Sequence, residues 1–123
     1  MRRANHSGGR ATTGFFIAVV ITTIGIVRRF SVDAYVMDTL MADLVLHDHR
    51  PSAFLVYLHL WYRSAGSKGR VRASHREMVD ATGLSKSAVQ GAIRALSSRR
   101  LIRASRQTAT AVPEYTVLRP WRR

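Results

Sequence analysis

The stretch from Ser74 to Ile102, SHREMVDATGLSKSAVQGAIRALSSRRLI, is so dense in helix start and stop signals that it predicts two short helices joined by a Gly-Leu-Ser turn. Ser74 and Glu77 stand in the S-x-x-E spacing of a capping box, whose hydroxyl and carboxylate satisfy free backbone N–H groups at a helix start. Met78, Val79 and Ala81 supply the apolar side of that first helix. Gly83 can take the positive φ that ends a helix, and Leu84 can then fold back into the angle between the two. Ser85 is a good cap for the second helix.

In that second helix Val89, Ala92, Ile93 and Leu96 recur at spacings of three and four, which at about 100° per residue makes one buried stripe. The opposite side carries Ser87, Gly91, Arg94 and Ser98, flanked by Gln90 and Lys86. These groups are small, polar or basic, with no carboxylate among them. Such a face suits a polyanion.

Downstream, Leu101 to Arg106 and Glu114 to Arg119 are rich in alternating or β-branched residues and predict two strands, with Gln107 to Pro113 as a small polar tip. Upstream, Pro51 fits the first turn of a helix running to about Ser64, in which Phe54, Leu55, Tyr57, Leu58, Trp61 and Tyr62 make a broad hydrophobic surface. Ala65 to Gly69 is its exit loop. From roughly Pro51 to Trp121 the chain resembles the bacterial winged helix-turn-helix family, in the broad group that includes MarR-like and GntR-like regulators. The matching residues are Glu77, Met78, Ala81, Gly83, Leu84, Ser85, Val89, Ile93, Leu96, Leu101 and Ile102. The resemblance implies an α+β fold, mainly α with a small β-hairpin: a three-helix core plus a wing, preceded here by an extra N-terminal helix. It also implies a short strand between the first two helices of the core, which Arg70-Val71-Arg72 can fill.

Two positions depart from the family. Gly91 sits mid-helix where relatives often carry a larger polar or basic residue, and an interior glycine costs about 1 kcal/mol against alanine. On an exposed face it is either drift or a bare stretch of backbone that lets the helix approach DNA closely. Arg100 stands where relatives commonly have a glycine before the Leu-Ile pair, so the wing must begin with a different turn or accept some strain.

A chain of 123 residues supports one domain with a modest core and leaves no room for a separate ligand-sensing domain. Its formal charge of +13 is unevenly spread. Residues 1 to 50 hold six Arg and four Asp, net +2; residues 51 to 123 hold twelve Arg, two Lys, two Glu and one Asp, net +11. The basic field coincides with the helix pair, and a field of that sign attracts phosphate. Arginine excess also follows from high-GC codon usage, so its placement says more than its amount. The absence of Cys excludes disulfides, thiol catalysis and thiolate zinc fingers and is compatible with the cytoplasm.

The front of the chain is organised differently. Residues 1 to 13 read as a polar, basic tail. Gly14 to Val27, GFFIAVVITTIGIV, is a nearly continuous apolar run between Arg10 and Arg28-Arg29. It is short for a membrane helix, which needs about 20 residues, and lacks the A-x-A-like site of a secretory signal. Its β-branched content suits a packed strand or extension. Membrane anchor, packed segment and a start placed too far upstream, with Met37 or Met41 as internal alternatives, all stay open. From Val32 or Asp33 to about His47 the pattern turns helical, with Val36, Leu40 and Leu44 in one apolar row, Met37, Met41 and Val45 in the next, and Asp33 able to cap the start. The organisation is thus residues 1–30, tail and apolar segment; 31–50, helix and connector; 51–123, the winged domain.

Little points to catalysis. His47-Asp48-His49 has metal-binding residue types but too few ligands for a site, and a connector before Pro51 explains it. Asp33, Asp38, Asp43 and Asp48 recur every five residues, a spacing that scatters them round a helix. His59 lies among apolar residues, as a core or boundary histidine does; His75, beside Arg76 in the capping region, can touch a phosphate or simply face solvent. The spacing of Tyr57, Trp61 and Tyr62 favours core packing over base stacking, and Tyr115 and Trp121 can anchor the wing. No phosphate loop, nucleophile elbow or H-E-x-x-H segment is present, so neither an enzyme nor a cofactor is expected.

The expected partner is double-stranded DNA, read from the major groove by the second helix of the pair. Ser87, Gln90 and Arg94 are placed to face base edges, where Gln pairs with adenine and Arg with guanine. Ser85, Lys86, Arg76, Arg99, Arg103 and Arg106 are placed to contact phosphates. A small bacterial transcriptional regulator, cytoplasmic and nucleoid-associated, is the leading reading. A plasmid or phage replication initiator or partition factor, and a winged helix that binds an acidic protein, are the alternatives. No helix follows the wing to build a MarR-like dimer, so a homodimer is expected to use residues 15–46.

Overall fold

The computed structural model describes residues 28–122. The basic tail, the apolar run Gly14 to Val27, the dimer surface expected before residue 28, and Arg123 lie outside the described residues. Within them the chain is mixed α+β: α1 (residues 34–47), α2 (Pro51–Ser64), β1 (Arg70–Arg72), α3 (His75–Thr82), α4 (Lys86–Ser98), β2 (Ile102–Ser105) and β3 (Glu114–Val117). α1 shares one hydrophobic core with the elements that follow it through Val36, Leu40 and Leu44.

Helix α2 is the hub. Pro51 opens it with a preset φ and no amide to satisfy, and Ala53, Phe54, Val56, Tyr57, Leu60, Trp61 and Ser64 are all buried. A helix apolar around most of its circumference must be covered on several sides, and α2 packs against α1, α3, α4, β1 and β3. Two of its polar tips reach distant carbonyls, while the buried Nε2 of His59 has no partner among the described residues. The Tyr57 hydroxyl donates to the Leu118 carbonyl at 2.9 Å, and the Trp61 indole N–H donates to the Ser31 carbonyl at 2.8 Å. Burial holds the Tyr57 phenol well above its ordinary pKa.

Helix α1 departs from α geometry in two stretches, Val36–Leu40 and Asp43–His47, where i→i+5 bonds such as Met41 N–H to Val36 O widen the turn. In an α-helix, positions four apart drift about 40° round the axis. Wider turns oppose that drift and keep Val36, Leu40 and Leu44 in a straight row, each no more than 3% exposed. The adjacent row expected from the sequence, Met37, Met41 and Val45, stays 37–44% exposed, with Leu46 beside it at 64%. Asp33 does not cap α1. Its carboxylate accepts hydrogen bonds at 2.7 Å from both Trp121 Nε1 and Arg122 Nε, and these bonds, Arg122 first, pull its pKa down to about 2. Trp121 in turn stacks on Tyr35 and Trp61, joining α1 and the C-terminal segment to α2.

The strands form one antiparallel sheet in the order β1-β3-β2. Val71 and Ala104 both face Tyr115, and Ile102 faces Val117; the buried members of these rows complete the core under α2. The alternate rows, Arg70–Thr116–Arg103 and Arg72–Glu114–Ser105, therefore point outward. Strands β2 and β3 are shorter than the sequence suggested, and residues 106–113 make a longer tip.

The caps of α3 and α4 follow the sequence closely. Glu77 N–H donates to Ser74 Oγ at 3.0 Å and Ser74 N–H to Glu77 Oε2 at 3.4 Å, completing the capping box of α3. Gly83 ends that helix at φ 77°, and Ser85 Oγ accepts Ala88 N–H at 3.1 Å to start α4. At the far end of α4 the amide of Leu101 reaches the Leu96 carbonyl at 2.9 Å and that of Arg100 reaches Ser97 at 3.0 Å. These two bonds are a Schellman motif, with Leu96 and Leu101 both buried behind it. The motif places Arg100 at φ 58°, in the left-handed region where a Cβ is strained, so the chain keeps the usual turn and accepts the strain. Arg100→Gly is expected to raise unfolding free energy by about 0.5–1 kcal/mol in urea denaturation, relief of strain outweighing the added freedom of the unfolded glycine. Unchanged or reduced stability would contradict the strained-turn account.

Candidate nucleic-acid interface

Helix α4 is pinned by its inner stripe, with Val89, Ala92 and Leu96 buried and Ile93 half-buried against the core. That fixes what points outward. Ser87, Arg94 and Ser98 are exposed and Gln90 is half-buried, so the three residues expected to read bases, Ser87, Gln90 and Arg94, lie outside the buried stripe. Gly91 does not bare its backbone there. It is buried beneath the Arg50 side chain, whose Nη1 lies 3.2 Å from where a Cβ would stand, and the reading of Gly91 as open backbone is corrected accordingly.

Beside the N-terminus of α4, a cleft of about 520 Å³ opens between α3, α4 and the β2–β3 tip. His75, Arg76, Lys86 and Arg106 line it together with Val79, Val112 and Pro113. Residues from three separate elements thus bring three of the expected phosphate contacts together. Arg106 is steadied by donating from Nη1 to the carbonyls of Ala109 at 3.2 Å and Ala111 at 3.4 Å. Arg76 lies 3.7 Å from Asp80, an exposed pair that holds its guanidinium only weakly. The His75 imidazole is pushed below its ordinary pKa, first by burial and then by the Arg106 and Lys86 charges. The cleft lining thus combines basic, polar and apolar side chains.

The remaining expected contacts divide. Ser85 uses its hydroxyl as the α4 cap and lies 3.3 Å from Ser87 Oγ. Arg103 stands outward on β2 in register with Thr116 and Arg70, away from the lining of the cleft. Arg99 donates from Nε to Asp48 at 2.9 Å, so part of its charge is already neutralised within the protein. Asp48 is held there, and His47 bonds Asp43 at 3.0 Å, which makes the His47-Asp48-His49 segment a structured connector. Among the described residues no group of three or more metal-ligand side chains gathers in one place. Arg50, Arg70 and Arg72 were not singled out by sequence reasoning. Alternation in Arg70-Val71-Arg72 could have pointed to the outward pair, but nothing local to Arg50 indicates that it meets α4.

No protein-family model, curated protein or solved structure matches the chain. Among the described residues no helix is long and apolar enough to cross a membrane.

An anion entering the cleft reverses the influence on His75. Without an anion the imidazole titrates below the ordinary histidine range, an adjacent phosphate raises that pKa, and binding therefore takes up a proton. Affinity for a phosphate-bearing ligand is expected to strengthen as pH falls through the range in which His75 gains its proton, and His75→Gln to flatten that dependence, as read by fluorescence anisotropy with a labelled duplex. Equal pH dependence in the two proteins would remove His75 from the site.

Proposed function

We propose that the chain is a winged helix-turn-helix protein that binds double-stranded DNA sequence-specifically, acting as a small bacterial transcriptional regulator. In this reading α3 and α4 form the helix-turn-helix, α4 enters the major groove, and β2 and β3 form the wing. The observation that carries it is the convergence of His75, Arg76, Lys86 and Arg106 on one cleft at the start of α4, whose outer face holds no carboxylate. Phosphates engaged there orient the domain, while Gln90 and Arg94 present the longer donors toward base edges and Ser87 a short one. Arg103 and Arg70 extend the positive field over the outer face of the sheet. Arg99, shared with Asp48, contributes less.

The exposed row Met37, Met41 and Val45 supports pairing with a second copy, since apolar side chains aligned on one helix favour burial against a partner. Two copies related by a twofold axis would present two α4 helices to a site with the same symmetry.

Arg106→Gln is expected to weaken binding to every duplex alike and to lower the salt dependence by about one counterion. Arg94→Ala is expected to cost about 1–3 kcal/mol on the preferred site and to relax base preference, because a lost base contact changes discrimination as well as affinity. Anisotropy titrations against preferred and scrambled duplexes separate the two effects. If neither substitution alters affinity at moderate salt, this surface is not the DNA-binding one.

A further inference from the structure

The opposite flank of α4 carries an arrangement that the cleft does not explain. Arg50 immediately precedes α2, yet its side chain reaches α4 and lies on Gly91, with Nη1 3.2 Å from the position a Cβ would take. Arg94 approaches the same point from the next turn of α4, its Nη2 at 3.9 Å. Two guanidinium groups therefore converge over one glycine. Among the described residues neither guanidinium makes a hydrogen bond or an ion pair, and the carboxylate in the shallow basin beside Arg50, that of Asp48, is bonded to Arg99, which lines the same basin.

The backbone of Arg50 is held in place at the end of the connector. Its amide donates to the Leu44 carbonyl at 2.7 Å, its carbonyl accepts the Ala53 amide at 3.0 Å, and His49 before it takes φ 54°. Gly91 is the condition for the arrangement, because a larger side chain there would occupy the space that the guanidinium fills. A glycine inside a helix weakens it, and the notch gives that weakness a use.

Like charges held this close repel, and an anion with several acceptor oxygens relieves both at once. A base edge is neutral and relieves less. We propose that Arg50 is a DNA phosphate contact carried onto the outer face of α4 through the Gly91 notch, holding a backbone phosphate beside the base that Arg94 reads. The proposal rests on the DNA-binding reading of α4. It adds a residue from outside the helix pair, so the connector between α1 and α2 becomes part of the interface.

Three variants test it by anisotropy titration over a range of salt, with thermal melts to confirm folding. Arg50→Gln is expected to bind all duplexes about tenfold less tightly and to lower the salt slope by about one, leaving the order of base preference intact. Gly91→Leu is expected to melt at a higher temperature yet bind less tightly, since it improves the helix and expels the guanidinium. The double variant should bind like Arg50→Gln alone, because both changes remove one contact. If Arg50→Gln keeps wild-type affinity and slope while Arg106→Gln loses both, Arg50 is not a contact. If Gly91→Leu costs the same with and without Arg50, the notch claim fails. If the wild-type protein binds no duplex at all, the reading beneath the proposal fails with it.

Discussion

Burial of helix α2 is the constraint on which the other elements depend. A 14-residue helix with apolar side chains on most of its surface cannot stand at the edge of a domain. It collects α1 on one side and α3, α4, β1 and β3 on others, so that Tyr57, Leu60 and Trp61 are removed from water. Truncating such a side chain costs about 3–5 kcal/mol where the neighbours cannot collapse into the space, a large part of the stability of a domain this size. The secondary structure around α2 is correspondingly short and borrows its order from the contact.

The outer surface inherits its geometry from that burial. α4 presents its inner stripe to the core, and the remaining angular positions can only face solvent, with Arg94 and Ser87 among them. The Schellman turn at Arg100 sends the chain straight into β2, which brings Arg106 back toward the start of α4 and sets it across the cleft from Lys86. Pro51 starts α2 directly after Arg50, so the same hub that positions α4 also positions the side chain lying on it. The positive surface is therefore assembled from the connector before α2, from α3, from α4 and from the β2–β3 tip.

Local signals were legible in the sequence where local physics decides. The capping box at Ser74 and Glu77, the Ser85 cap, the φ of Gly83 and the bounds of α2 all depend on residues within a few positions of one another. The stripe on α4 needs only helical periodicity. The shortfalls are interactions between residues far apart in the chain. Asp33 looked like a cap because its neighbours invite one, but Trp121 and Arg122 engage its carboxylate. Gly91 looked exposed because only its own helix was visible, whereas Arg50 covers it. Arg99 looked like a free cation and has Asp48 as its partner. The wide turns of α1 also carry no sequence mark, since they go with the burial of three side chains in a core built from distant parts of the chain.

The central claim is that a fixed set of side chains on α4 reads base sequence, with the surrounding arginines supplying affinity through phosphates. Selection of bound sites from a pool of random duplexes, carried out at low and at moderate salt, separates the two contributions. The account predicts one enriched motif that survives the higher salt while total binding falls, with twofold symmetry where two copies bind. A protein that enriches no sequence at either salt, and is released from all duplexes together as salt rises, is a generic polycation and contradicts it.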